Sequence, residues 1–174
     1  MNCDIAVGMI IFNPNISVLQ RLQDTINNGY KLYIFDNSPD NSLIRDYVYK
    51  NAETSALIKY STCGKNVGLG IGLASLCSQA YYDSFAALLF FDQDTVYSSV
   101  TLDFVSDFYS KNSILSKSYS AIAFNSKNID ASGSNTNEIK DVLLAMNSGS
   151  LFYLSNLKKM NWHSTKYFVD CVDY

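Results

Sequence analysis

Two uninterrupted apolar runs constrain the fold of this chain more than any other feature. Residues 5–12 read "IAVGMIIF", and residues 85–91 read "FAALLFF". A strand that faces solvent on one side alternates apolar and polar residues, whereas a strand without that alternation is covered on both faces. The sequence therefore predicts central strands with helices packed on both sides of the sheet.

Shorter apolar runs alternate with helical patterns along the rest of the chain. Strands are predicted at residues 32–35, 57–60, 121–124, 142–144 and 150–154, and helices at residues 18–26, 43–49, 66–82 and 100–109. This alternation is typical of right-handed βαβ units, which build a mostly parallel sheet. We therefore expect one α/β domain over residues 1–174, an α/β/α sandwich with a polar loop at residues 125–138.

The composition excludes several classes of function. The 174 residues are 48% hydrophobic and 17% charged, which is typical of a globular domain. The net charge is −3 and the lysines are scattered, so the sequence lacks the basic stripe that nucleic-acid binding requires. We expect no nucleic-acid partner.

The cysteines and the N-terminal sequence predict a cytoplasmic protein. None of the four cysteines has CxxC spacing: Cys3, Cys63, Cys77 and Cys171. The single histidine, His163, could complete a zinc site with at most one of them, so we expect no zinc. The sequence also has no signal-peptide pattern and no apolar run of about 18 residues.

Polar residues follow the predicted strands. Ligands of an open parallel sheet bind beyond the carboxyl ends of its strands. The residues at those ends are Asn13 and Pro14, Asp36 and Asn37, residues 61–65, and Asp92, Gln93 and Asp94. The sequence therefore predicts a binding site along this edge of the sheet.

The acidic pair Asp92 and Asp94 directly follows the most apolar strand. Two carboxylates at this spacing raise each other's pKa unless a cation lies between them. Mg²⁺ and Mn²⁺ prefer oxygen ligands and often complete their coordination with phosphate oxygens. The pattern favours a metal site, and a solvated turn after a strand is the ordinary alternative.

The stretch "LLFFDQDT" resembles the DXD region of family 2 glycosyltransferases with the GT-A fold, in particular their rhamnosyltransferase-like branch. Five further segments resemble motifs of that branch in the same order: "IIFNP", "IFDNSPDNS", "KNVGLGIGLA", "NSGSLF" and "KYFVDCVDY". The resemblance extends over essentially the whole chain. It implies a Rossmann-like GT-A fold and glycosyl transfer from a nucleotide sugar.

The resemblance also implies roles for individual residues. Asp36 would accept the imide N–H of uracil or thymine, although an Asx turn is an alternative role for it. Asp92 would lie near the ribose and, with Asp94, hold Mn²⁺ or Mg²⁺ against the diphosphate. The other residues expected around the donor are Asn13, Pro14, Asn37, Lys65, Asn66, Gly68, Gln93, Ser148 and Gly149.

Three glycines interrupt a predicted helix at positions 68, 70 and 72. Each costs about 1 kcal/mol relative to alanine in a helix. The spacing is GxGxG, so neither the dinucleotide fingerprint nor a phosphate-binding P-loop matches. The related family more often has alanine at positions 70 and 72. We therefore expect these glycines to permit close packing rather than direct ligand contact.

The last motif contains Asp170 and Asp173. By resemblance, Asp173 would be the general base that takes the proton from an acceptor hydroxyl, and Asp170 would support it. A solvated acidic tail is the alternative. The chain ends inside this motif, so we expect residues 1–125 to bind nucleotide and residues 126–174 to begin an incomplete acceptor-side region. Later segments would cover the acceptor and approach the inner face of the membrane.

The resemblance implies inverting transfer of a sugar from a dTDP- or UDP-sugar donor, and it favours rhamnose as that sugar. The acceptor would be a hydroxyl of a saccharide or lipid-linked saccharide in cell-surface polysaccharide synthesis. Two alternatives stay open. One is a phosphatase of the haloacid dehalogenase class with Asp92 as nucleophile, although its motif normally lies early in a chain. The other is a glycosyltransferase-like module without catalytic activity.

Overall fold

A computed structural model of the chain describes residues 4–39, 43–50, 56–124, 139, 141 and 147–161. The strands are β1 (Ile5–Ile11), β2 (Leu32–Asp36), β3 (Ile58–Thr62), β4 (Ala87–Asp92), β5 (Ala121–Ala123) and β6 (Ser150–Tyr153). The helices are α1 (Ser17–Asn27), α2 (Leu43–Lys50), α3 (Leu69–Tyr82), α4 (Ser99–Lys111) and α5 (Leu154–Lys159), with a 3₁₀ turn at Ser113–Lys117.

The six strands form one sheet in the order β3-β2-β1-β4-β6-β5. The strands β1 to β4 are parallel, and β6 runs antiparallel to both β4 and β5. Asp36 pairs with Ile11 and with Thr62, and Asp92 pairs with Ile10. This register brings the carboxyl ends of β1 to β4 to the same edge of the sheet.

Helices cover both faces of the sheet, as the apolar runs predict. Val7 and Met9 of β1 belong to a core cluster that includes residues of α1, α2 and α4. Ala6 and Ile10 face the opposite cluster, which includes residues of α3 and α5. Full burial of a side chain such as Met9 contributes about 1.5–3 kcal/mol. The α/β/α arrangement with a mostly parallel sheet is therefore confirmed.

The helix α3 begins later than its apolar pattern predicts. The prediction began at residue 66, whereas the helix begins at Leu69. Gly68 caps it with φ 89°, a left-handed conformation outside the helical region, and its N–H donates to the Asn66 side chain at 2.9 Å. Gly68 is therefore a cap and not an interior helix residue.

The predicted loop at residues 125–138 and the predicted strand at residues 142–144 lie outside the described residues. Within the described part of the chain, no helix combines the length and apolar character needed to cross a bilayer.

Candidate functional site

The Asp36 carboxylate lies at the end of β2 and is 0% exposed. Its Oδ1 accepts the Ser38 N–H at 2.8 Å, and its Oδ2 accepts the Tyr60 hydroxyl at 2.8 Å. The bond to Ser38 is the Asx turn that the sequence offers as an alternative role. Thr62 donates its hydroxyl to the Asp36 carbonyl at 2.7 Å. The structure thus holds this carboxylate rigidly between β2 and β3.

Asn37 joins the end of β2 to the segment before α3. Its Oδ1 accepts the Val67 N–H at 3.2 Å, and its Nδ2 donates to the Gly68 carbonyl at 3.3 Å. Its backbone N–H donates to the Ile11 carbonyl at 2.8 Å. The Asn37 side chain is buried, and its hydrogen bonds position the segment before α3.

The chain leaves β1 through an exposed turn. Asn13 has φ 44°, a left-handed conformation that asparagine tolerates better than most residues. Its N–H donates to the Ser38 hydroxyl at 2.8 Å, so the ends of β1 and β2 are bonded directly. Pro14 is half-buried beside it.

Asp92 and Asp94 follow β4 at the same edge. Asp92 is half-buried and Asp94 is exposed. The pKa of Asp92 is raised, first because burial disfavours its charged form and second because the charge of Asp94 is close. A divalent cation would relieve both effects, so the pair fits a hard metal ion.

The number of protein ligands also bears on the metal. Among the described residues, no group of three or more His, Cys, Asp or Glu side chains could hold an ion. A cation at Asp92 and Asp94 would therefore take further ligands from substrate phosphate or water, as Mg²⁺ commonly does.

The turn before β6 docks against the end of β4. The Ser148 hydroxyl accepts the Asp92 N–H at 3.0 Å and shares a hydrogen bond of 2.5 Å with the Thr95 hydroxyl. Gly149, at φ 80°, donates its N–H to the Phe90 carbonyl at 2.8 Å. Ser148 and Gly149 thus lie beside the acidic pair, and their contact with the donor stays a prediction.

The segment before α3 contributes Lys65 and Asn66, both exposed. Gly72 of α3 permits close packing, as expected. A Cβ there would lie 2.8 Å from Ile10 Cδ1 and 3.1 Å from Phe35 Cδ1. The absence of a side chain lets the helix approach the sheet.

Gln93 is held by its neighbours in the fold. Its side-chain Oε1 accepts the Phe12 N–H at 2.8 Å, and its Nε2 donates to the Phe12 carbonyl at 3.1 Å. The Arg21 guanidinium of α1 donates through Nη2 to the Gln93 carbonyl. Both polar atoms of its carboxamide therefore bind the Phe12 backbone.

Several residues of this site escape sequence reasoning: Arg21, Ser38, Tyr60 and Thr95. Ser38 lies in the turn signal after β2, and Thr95 follows the acidic pair, so their positions give a weak signal. Arg21 and Tyr60 give none, because each meets its partner only through the tertiary fold. Asp170, Asp173 and His163 lie outside the described residues.

No family model matches this chain, and no curated protein does. Solved structures do match. The crystal structure of S. aureus TarS 1–349 superposes with a TM-score of 0.64 at 14% identity, covering 97% of this chain and 52% of that one. Its complex with UDP-GlcNAc gives 0.57 at 16%, covering 91% and 48%. Its complex with UDP gives 0.59 at 14%, covering 91% and 49%.

These matches concern the fold. The chain spans about half the length of the TarS chains that it matches. The chain has a mostly parallel sheet between two helix layers, and it superposes on TarS, so it has an α/β fold of the GT-A type, as expected.

Proposed function

We propose that this chain binds a pyrimidine nucleoside diphosphate sugar and a divalent cation as the donor site of an inverting glycosyltransferase. The observation that carries the proposal is the placement of Asp36 after β2 and of Asp92 and Asp94 after β4, on opposite sides of β1. Two strand spacings separate β2 from β4, about 10 Å. That separation leaves room for a nucleoside between the base-binding and metal-binding carboxylates.

Asp36 recognises the base in this proposal. An ionised carboxylate can accept about four hydrogen bonds. The bonds from Ser38 and Tyr60 use two of these acceptor sites. The pyrimidine imide N–H is a single donor that suits such a site. Because Asp36 is fully buried, base binding requires a covering side chain to move aside.

Asp92 and Asp94 hold Mn²⁺ or Mg²⁺ in this proposal. The cation, when bound, neutralises charge on the diphosphate leaving group. The protein's own contribution is to fix both carboxylates at one turn and to orient the donor. Asp173, supported by Asp170, takes the proton from the acceptor hydroxyl, which belongs to a saccharide or lipid-linked saccharide at the cytoplasmic face of the membrane.

Two donors are the first to test. The resemblance of the sequence motifs favours dTDP-rhamnose. S. aureus TarS was crystallised in complex with UDP-GlcNAc and with UDP, which favours a uridine donor. Asp36 accepts both, because uracil and thymine present the same imide N–H.

The proposal is tested by isothermal titration of the chain with UDP, dTDP, UDP-GlcNAc and dTDP-rhamnose, each with Mn²⁺ and with EDTA. GDP serves as the nucleotide control. We expect Mn²⁺-dependent binding of pyrimidine nucleotides, and a ligand at 100 times its Kd should stabilise the fold by about 2.7 kcal/mol. Asp94→Asn should abolish the Mn²⁺-dependent part, whereas Asp103→Asn on the exposed face of α4 should not.

Equal binding of GDP, or pyrimidine binding that ignores both Mn²⁺ and Asp94→Asn, would contradict the proposal. Hydrolysis of p-nitrophenyl phosphate that Asp92→Asn abolishes would instead support the phosphatase alternative.

A further inference from the structure

The Gln93 side chain extends the ladder between β1 and β4. The backbone pairing of the two strands ends at Ile10 and Asp92. Beyond it, the Gln93 carboxamide accepts the Phe12 N–H at 2.8 Å and donates to the Phe12 carbonyl at 3.1 Å. These two bonds copy the donor and acceptor pair of a backbone bridge. Gln93 therefore fastens the turn after β4 to the chain that leaves β1.

Arg21 holds the same turn from the helix α1. Its Nη2 donates to the Gln93 carbonyl, across 72 positions of sequence. Its Nε is buried without a hydrogen-bond partner among the described residues, an arrangement that costs free energy. The Gln93 carbonyl therefore positions the guanidinium through Nη2, even though Nε stays unpaired among the described residues.

The opposite side of the turn is bonded as well. Thr95 N–H donates to the Asp92 carbonyl at 3.1 Å and closes residues 92–95, which we call the DQD turn. Ser148 accepts the Asp92 N–H at 3.0 Å and bonds the Thr95 hydroxyl at 2.5 Å. The turn is thus held from β1, from α1 and from the segment before β6, while the Asp94 side chain stays exposed.

We propose that Gln93 and Arg21 are positioning residues that hold the DQD turn so that Asp92 and Asp94 face one divalent cation. This inference rests on the proposed function. Both polar atoms of the Gln93 carboxamide bind Phe12, so Gln93 acts on the cation through the turn and not as a ligand. Glutamate at position 93 would lose the donor to the Phe12 carbonyl and add a third charge beside two carboxylates.

The test measures Mn²⁺ affinity, with UDP present, for the wild type and for Gln93→Met, Arg21→Met and Arg21→Lys. Gln93→Met keeps the length of the side chain and removes both hydrogen bonds. We expect its Mn²⁺ Kd to rise by about 10- to 100-fold, as for other residues that orient metal ligands. UDP affinity in EDTA should not change. The matched control is Gln20→Met, because Gln20 is exposed on α1 and bonds Asp24.

Arg21 gives an independent second arm if Gln93→Met does not fold. Arg21→Met should also weaken Mn²⁺ binding, and Arg21→Lys should recover part of the loss because lysine keeps one donor for the carbonyl. Urea denaturation of each variant separates this effect from global instability.

The outcomes distinguish failure of the proposed function from failure of the positioning role of Gln93 and Arg21. If the wild type binds no Mn²⁺ with UDP, the proposed function fails and this inference fails with it. If the wild type binds Mn²⁺ and the folded Gln93 and Arg21 variants bind it equally well, only the inference fails. An equal loss of metal-free UDP affinity would also overturn it, because it would indicate general damage to the site.

Discussion

The Asp36 carboxylate combines a structural role with the proposed recognition role. It is fully buried and accepts hydrogen bonds from the Ser38 N–H and the Tyr60 hydroxyl. A buried carboxylate is costly unless it is hydrogen-bonded. The hydrogen bond to Ser38 is the Asx turn that the sequence offers for Asp36. The recognition role is implied by the resemblance of the sequence motifs and stays a prediction.

Asp36→Ala should lower the free energy of unfolding by roughly 1–3 kcal/mol, because the donors of Ser38 and Tyr60 lose their acceptor. Urea denaturation without nucleotide measures this effect. The control is Asp46→Ala, an exposed residue 3.9 Å from Lys50, for which we expect a change below about 0.5 kcal/mol. Equal stability of the two variants would show that the Asp36 bonds contribute nothing to the fold.

Asp92 should make the free protein less stable at neutral pH. Its folded pKa is raised by burial and by the charge of Asp94, so the stability that it contributes is present below the unfolded pKa of about 3.9. That contribution is lost as pH rises through the folded pKa. Asp92→Asn should therefore raise the free energy of unfolding at pH 7 in EDTA, with the gain shrinking toward pH ~3.9.

Denaturation of Asp92→Asn and of the exposed control Asp103→Asn at both pH values measures the difference. A neutral-pH stability equal to that of the wild type would show that burial does not strain Asp92. A gain in stability together with loss of Mn²⁺ binding would mark a residue kept for function at a cost to the fold.

Site residues that directly follow apolar strands can be predicted from the sequence. Site residues that lie on other helices or strands cannot. Asp36, Asp92 and Asp94 are visible because a carboxylate after a buried strand is unusual. Arg21 lies on a helix 72 positions from Gln93, and no local pattern connects them. Tyr60 likewise meets Asp36 only because β2 and β3 pair.

The helix α3 shows how a local rule is overridden at the scale of elements. Its glycines disfavour a helix by propensity, yet α3 runs from Leu69 to Tyr82. The close approach at Gly72 explains why: a Cβ there would meet Ile10 at 2.8 Å. Close packing against β1 and β2 thus explains why glycine occupies position 72.

Gly72→Ala should destabilise the chain by up to about 2 kcal/mol. Overpacking costs about 1–3 kcal/mol, and the gain in helix propensity offsets about 1 kcal/mol of it. Ile10→Val removes the Cδ1 that the new methyl group meets, so the double variant should lose less than the sum of the single variants. Ser78→Ala, on the exposed side of α3, should be neutral or slightly stabilising.

Urea denaturation of the four variants measures this cycle. Additive losses would show that the contact between Gly72 and Ile10 does not limit the approach of α3 to the sheet.

The element boundaries differ from prediction where polar residues take part in the sheet. The strand β3 extends to Thr62, two residues beyond the apolar run, because Ser61 and Thr62 pair with Phe35 and Asp36. An edge strand of this kind is half-exposed, so hydrophobicity alone marks it poorly. By contrast, β1 and β4 are buried along nearly their whole length and were predicted closely.

At the scale of the whole molecule, the alternation of elements predicts the layers and the mostly parallel sheet but not the strand order. The order β3-β2-β1-β4-β6-β5 depends on which strands meet in three dimensions. The antiparallel pairing of β6 with β4 also depends on the tertiary fold. It places Ser148 against Asp92. The same architecture recurs in S. aureus TarS at 14% identity, so this arrangement tolerates extensive change of sequence.

The central claim is that the carboxylates at this sheet edge enclose a divalent cation and a pyrimidine diphosphate. The most direct measurement is an anomalous difference map from crystals grown with Mn²⁺ and UDP. We expect a manganese peak within coordination distance of Asp92 and Asp94, with uracil against Asp36. A map with nucleotide and metal bound elsewhere, and both carboxylates of the DQD turn in contact with solvent, would contradict it.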